Sequence, residues 1–127
     1  MSNKTYIFNF AHPLTEKSMD ELGKLLPDGF EVIDCRNFRW ENSRHFGEQI
    51  DEILRPALPY LSGEYPVAVN LPGLSMVTGL LIARIHGVFG SFPRVLNLRR
   101  EEDGTFAVDR LVDLQLVRQE AREKLRS

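Results

Sequence analysis

Cys35 is the only cysteine in the chain, so an intrachain disulfide is impossible and a cysteine-built metal cluster is excluded. A lone thiol of this kind reads as a small apolar side chain buried at a strand end, in a protein of a reducing compartment. Excess charge of either sign is also lacking. The 16 Lys and Arg stand against 18 Asp and Glu, a formal net charge of −2. That is too small to steer the molecule toward polyanions or acidic partners. Duplex DNA or RNA is therefore not an expected partner, and an anion site has to be built locally from helix ends and a few arginines. No histidines and carboxylates stand at metal-ligand spacing, so neither a metal nor a cofactor is expected. The longest apolar stretch, Leu71 to Phe89, is interrupted by Arg84 and His86 and is rich in glycine, which suits a buried helix rather than a membrane span. The opening MSNKTYIF has neither the basic nor the apolar region of a signal peptide. A soluble, cytoplasmic protein without a membrane partner is the expectation.

What is present is ordinary and globular. With 127 residues, 43% hydrophobic and 27% charged, the chain fits a single domain, 1–127, around one core. Thr5–Phe10 is β-branched and aromatic and stops at Pro13, as a strand would. Thr15 then offers an N-cap to a helix whose Met19, Leu22, Leu25 and Leu26 recur at helical spacing. Pro27-Asp28-Gly29 turns the chain into a second strand, Phe30–Cys35, which runs on into a polar stretch, Arg36–Arg44. Phe46, Ile50, Ile53 and Leu54 mark a second helix, interrupted at Pro56 and ending near Pro59. Tyr65–Asn70 is a third strand with no solvent face, as in the interior of a parallel sheet. A long helix over about Ser75–Val88 follows, then a fourth strand Arg94–Leu98, a charged turn Glu101–Gly104, an edge strand Thr105–Leu111 and a closing helix Leu114–Leu125. Alternating strands and helices predict an α/β fold, a small Rossmann-like parallel sheet flanked by helices.

Open parallel sheets bind ligands beyond the carboxyl ends of their strands, where the strand order reverses. In both common orders the first strand borders that point, so the loop Asn9-Phe10-Ala11-His12 is one half of an expected nucleotide-type site. The loop after the third or fourth strand is the other half: Asn70-Leu71-Pro72-Gly73-Leu74-Ser75, or the segment carrying Arg99 and Arg100. Asn70 has donors and an acceptor for a base edge or a ribose hydroxyl. Pro72-Gly73 lets backbone approach a ligand. Ser75 heads a helix whose free N–H groups and dipole favour phosphate, yet a plain turn and a plain helix cap explain the same residues. His12 precedes a proline on a loop and suits a phosphate or base contact or a general acid, with a surface turn as the alternative. His45 reads as solvated and His86 as a core or interface hydrogen bond. Arg99 suits phosphate, or pairs with the acidic residues that follow it. Arg36, Arg39 and Trp40 could hold a base by stacking, or Trp40 packs onto the domain. The catalytic residue, if there is one, is not identifiable beyond His12 as a candidate.

The long helix is apolar nearly all round, which implies burial on both sides. Gly79, Ala83 and Gly87 fall at i, i+4 and i+8 and form a strip that permits close approach of the sheet or of a second copy, so a two-fold homodimer is expected.

These segments also resemble a family. Asn9-Phe10-Ala11-His12-Pro13-Leu14-Thr15 is similar to the NFSHPLT opening of the Csx-fifteen family, small stand-alone ancillary proteins of type III CRISPR systems. Asn70-Leu71-Pro72-Gly73-Leu74, with Ala83, His86 and Gly87 downstream, resembles that family's NPPGL…AxxHG pattern. Phe92-Pro93-Arg94 with Leu96-Asn97-Leu98-Arg99 resembles its FP-x-(I/V)-L-x-L-R element, and Leu114-Gln115 with Val117-Arg118 its closing NLQ-x-(V/I)-R helix. The likeness runs nearly end to end and departs at Leu71, Ser75-Met76 and Asp113. It implies a CARF-like domain that dimerises and binds a cyclic oligoadenylate, cyclic tetra-adenylate before other rings, and that sits in the cytoplasm. Each subunit would offer Asn9, Phe10, His12, Asn70, Pro72, Gly73, Leu74, Ser75 and Arg99 to half the ring, with higher assembly on the ligand as a further possibility. No appended effector domain is expected, so the implied role is to lower the messenger by sequestering it. The alternative is metal-independent ring cleavage, in which a ribose 2′-hydroxyl attacks the adjacent phosphate and leaves a cyclic phosphate end, with His12 as acid or base and Arg99 stabilising the phosphate. A small nucleotide-binding α/β protein unrelated to CRISPR is the third reading.

Overall fold

A computed structural model describes residues 3–126; the first two residues and the last of the expected domain lie outside it. Five strands, β1 (Thr5–Asn9), β2 (Phe30–Asp34), β3 (Val67–Asn70), β4 (Arg94–Arg100) and β5 (Phe106–Asp113), form one sheet. The helices are α1 (Glu16–Leu25), α2 (Phe46–Leu54), α3 (Ser75–Phe89) and α4 (Leu114–Lys124), and a 3-10 helix, Arg55–Tyr60, extends α2. Pro56 enters that 3-10 helix in its first turn and Pro59 lies inside it. The α-helix gives way there because a proline has no N–H for the i−4 carbonyl.

The strand order is β2-β1-β3-β4-β5, with β1 to β4 parallel and β5 antiparallel to β4. This is a Rossmann-like α/β domain of the flavodoxin-type order. β3 is buried along its whole length, as an apolar central strand requires. The chain runs outward from β1 to β2, then returns past β1 to β3. The order therefore reverses between β1 and β3, and the two loops leaving that point are those after Asn9 and after Asn70. In register the two asparagines stand directly opposite each other.

Two cores lie on the two faces of the sheet. Leu22 of α1 packs on Ile7, Ala68 and Leu96. On the other face Ile50, Ile53 and Leu54 of α2 and Val77, Leu81 and Ile85 of α3 pack on Phe8, Val67 and Val69. Thr15 caps α1, its Oγ1 accepting from the Ser18 N–H at 3.1 Å. His45 caps α2 through Nδ1, which accepts from the Glu48 N–H at 3.2 Å; it is exposed, as expected, but has this local task as well.

Strict alternation fails at one place. β4 and β5 form a hairpin, turned at Glu101–Thr105 with Gly104 at φ +85°. The hairpin also lengthens β4. Arg99 and Arg100, expected in the loop after the fourth strand, lie inside it, because they pair with Ala107 and Phe106. Among the described residues no helix is long and apolar enough to cross a membrane.

Candidate ligand-binding site

The Asn9 amide organises the end of the sheet. Its Oδ1 accepts from the Ala11 N–H and from Asn70 Nδ2, each at 3.0 Å, and its Nδ2 donates to the His12 carbonyl at 3.0 Å. The Phe10 N–H donates to the Asn70 carbonyl at 3.0 Å, and the Cys35 N–H to the Asn9 carbonyl at 2.9 Å. One amide thus folds its own loop and ties it to the neighbouring strand. Both asparagines are buried, at 2% and 5% exposure, so their polar groups are met inside the protein, or by water or a ligand where they border a cavity.

Two cavities open on either side of these loops and share Ala11, His12, Pro13 and Gly73. The first, about 450 Å³, is walled by Leu14, Leu71, Leu98 and Phe106, with Asn70, Thr15, Ser18 and Thr105 among its polar members. The second, about 490 Å³, takes in Phe10, Phe38, Arg36, Pro72 and Leu74. Arg36 is held there by Asp34: Nε and Nη2 donate to the two carboxylate oxygens at 2.9 and 3.0 Å. The hydrogen bond with the Arg36 guanidinium lowers the Asp34 pKa and raises that of Arg36.

α3 begins between the cavities. Its N-cap is Leu74, extended at φ −98° and ψ 116°, and no side chain caps it. Ser75 is already helical and exposed, so the capping explanation of Ser75 does not apply. The first N–H groups of α3 thus have no side-chain acceptor among the described residues, a local positive end. Gly73 has no positive φ, and a Cβ there would meet nothing within 4 Å. Neither backbone strain nor packing demands glycine at that position, and its bare face adjoins both cavities.

His12 is exposed and borders both cavities. Its carbonyl is bonded to Asn9, while its ring has no hydrogen-bond partner among the described residues. Arg99 is not brought to these loops. Its guanidinium lies 3.0 Å from Glu101 and 3.7 Å from Asp109, and the side-chain hydrogen bond to Glu101 raises its pKa further. Leu98, one residue earlier, points to the opposite face and supplies a cavity wall.

Trp40 lies 4.9 Å from the Phe46 ring and donates Nε1–H to Asn42 at 3.0 Å, so it packs onto the domain. His86 packs against Phe92 with ring centroids 4.3 Å apart and the rings tilted by 44°. Cys35 is buried, and burial, with a smaller effect of Asp34, pushes its thiol up to about 12. No cluster of three or more His, Cys, Asp or Glu among the described residues could hold a metal ion.

The walls Leu98, Thr105 and Phe106 were not legible as site residues. They reach the first loop only because the β4–β5 hairpin extends beyond Asn70, with pairing out to Arg100 and Phe106, past the expected strand end at Leu98. Comparison of the chain with known protein families, with curated proteins and with solved structures gives no match.

Proposed function

We propose that this protein is a messenger-binding domain of the kind its family resemblance implies. It binds a cyclic oligoadenylate, cyclic tetra-adenylate before other rings, between two copies of itself, and holds the ring intact, which damps antiviral signalling from the cytoplasm. The observation that carries this reading is the pair of cavities meeting over Ala11, His12, Pro13 and Gly73 at the point where strand order reverses. Each cavity falls in the range of about 300–1,000 Å³ usual for small-molecule sites. One is apolar, as a base requires. The other offers Arg36 and the uncapped start of α3, as a phosphodiester requires.

The dimer is supported by the outer face of α3. Met76, Gly79, Ala83, Gly87 and Val88 are all exposed, so the small-residue strip faces away from the sheet and suits a second helix. It starts beside Ser75, so a copy packed on it brings its own loops toward the same ligand. A two-fold ring then meets two-fold related loops.

Cutting is the second reading, favoured by one observation: the exposed His12 ring borders both cavities, where a ribose and its phosphate would lie. Excess protein incubated with radiolabelled cyclic tetra-adenylate, then run on native and denaturing gels, decides between them. Retention of an intact ring is the expected result. Linear product, lost in His12→Ala, supports cutting, and no retention removes both readings.

A further inference from the structure

We infer that the cavity beside Asn70 is a base pocket, entered amine-first, in which Asn70 Oδ1 accepts a hydrogen bond from the exocyclic amino group of one base per subunit; the inference rests on the nucleotide reading above. The hydrogen-bond network fixes which end of each amide points where. The Ala11 N–H can only donate, so the Asn9 atom that meets it is the oxygen. The His12 carbonyl can only accept, so Asn9 Nδ2 faces it. The Asn9 oxygen then takes a second donor, and that is Asn70 Nδ2. Asn70 is left with its own carbonyl oxygen turned elsewhere.

That oxygen has no hydrogen-bond partner among the described residues. Asn70 is 95% buried, being 5% exposed, yet no fully buried side-chain oxygen or nitrogen among the described residues lacks a partner. The oxygen therefore keeps some open surface, and Asn70 lines the cavity of about 450 Å³ walled by Leu14, Leu71, Leu98 and Phe106. A fixed acceptor in an apolar slot selects a flat ligand that carries a donor. Adenine fits, with its amino group on the acceptor and its faces against the leucines and Phe106. No arginine or lysine lines this cavity, so phosphate is better served outside it, over Gly73 and the start of α3, with Arg36 near.

A base whose amino group is replaced by a carbonyl sets oxygen against oxygen. The test is calorimetric titration of the wild-type protein with cyclic tetra-adenylate and with the same ring carrying hypoxanthine in place of adenine. The hypoxanthine ring is expected to bind about ten- to a hundredfold more weakly. Phe106→Ala removes an exposed wall on an edge strand and is expected to weaken the adenylate ring at least about threefold, with its circular dichroism spectrum unchanged. Equal binding of the two rings, or unchanged affinity in Phe106→Ala, overturns the inference and leaves the functional reading standing. If neither ring binds, the functional reading falls and takes the inference with it.

Discussion

At the residue scale the site depends on Asn9, whose amide meets a backbone donor, a backbone acceptor and the Asn70 side chain together. Asn9→Ala leaves those three groups without protein partners, the Asn70 amide in a buried place and the two backbone groups in part-buried ones. Each such loss costs about 1–3 kcal/mol. A fall in stability of at least about 2 kcal/mol is the expected outcome of a urea titration, accompanied by faster amide exchange at Ala11. A loss below 0.5 kcal/mol, on the order of an ordinary surface substitution, would contradict this role. Both asparagines were legible as polar residues closing two strands. Their bond was not, because it depends on a register that places residues 9 and 70 side by side. Arg99 shows the reverse: its chemistry suits phosphate, but its face of β4 belongs to Glu101 and Asp109.

The element with the clearest divided role is α3. Its N-cap residue is Leu74, 49% exposed and without a capping oxygen. A helix left this way gives up about 0.5–2 kcal/mol that a polar cap would supply, a loss that the proposed phosphate contact would offset. Leu74→Ser and Leu74→Asp should each raise the melting temperature. Leu74→Asp should also weaken cyclic tetra-adenylate about tenfold or more, because its carboxylate takes the place of phosphate at the positive end. Thermal melts and binding titrations of the two variants check this. Both variants more stable with unchanged affinity would show that the terminus does not meet the ligand. The positions of α1, α2 and α3 follow from apolar spacing and caps visible in the sequence. The β4–β5 hairpin follows as well, from the turn at Glu101–Gly104 between two strands; the full length of its strands, Arg94–Arg100 and Phe106–Asp113, does not.

For the whole molecule, the outward face of α3 makes assembly and ligand binding parts of one proposal. A side chain at Gly79 would meet nothing within 4 Å of its Cβ in the single chain, and glycine is a poor helix former. Gly79→Arg should therefore fold at least as stably as the parent, yet sediment as a monomer where the parent sediments as a dimer at micromolar concentration. A parent that is itself a clean monomer would count against the dimer. The α/β class and the switch-point loops were legible from strand–helix alternation and topology rules. Which face of α3 stays exposed was not, because a helix apolar on every side does not show which side meets the sheet. The central claim is a ring held whole between copies of the chain, and native mass spectrometry of protein mixed with cyclic tetra-adenylate tests it most directly. The predicted result is a complex with an even number of chains around one intact ring. A complex of one chain with one ring, or no complex, would contradict it.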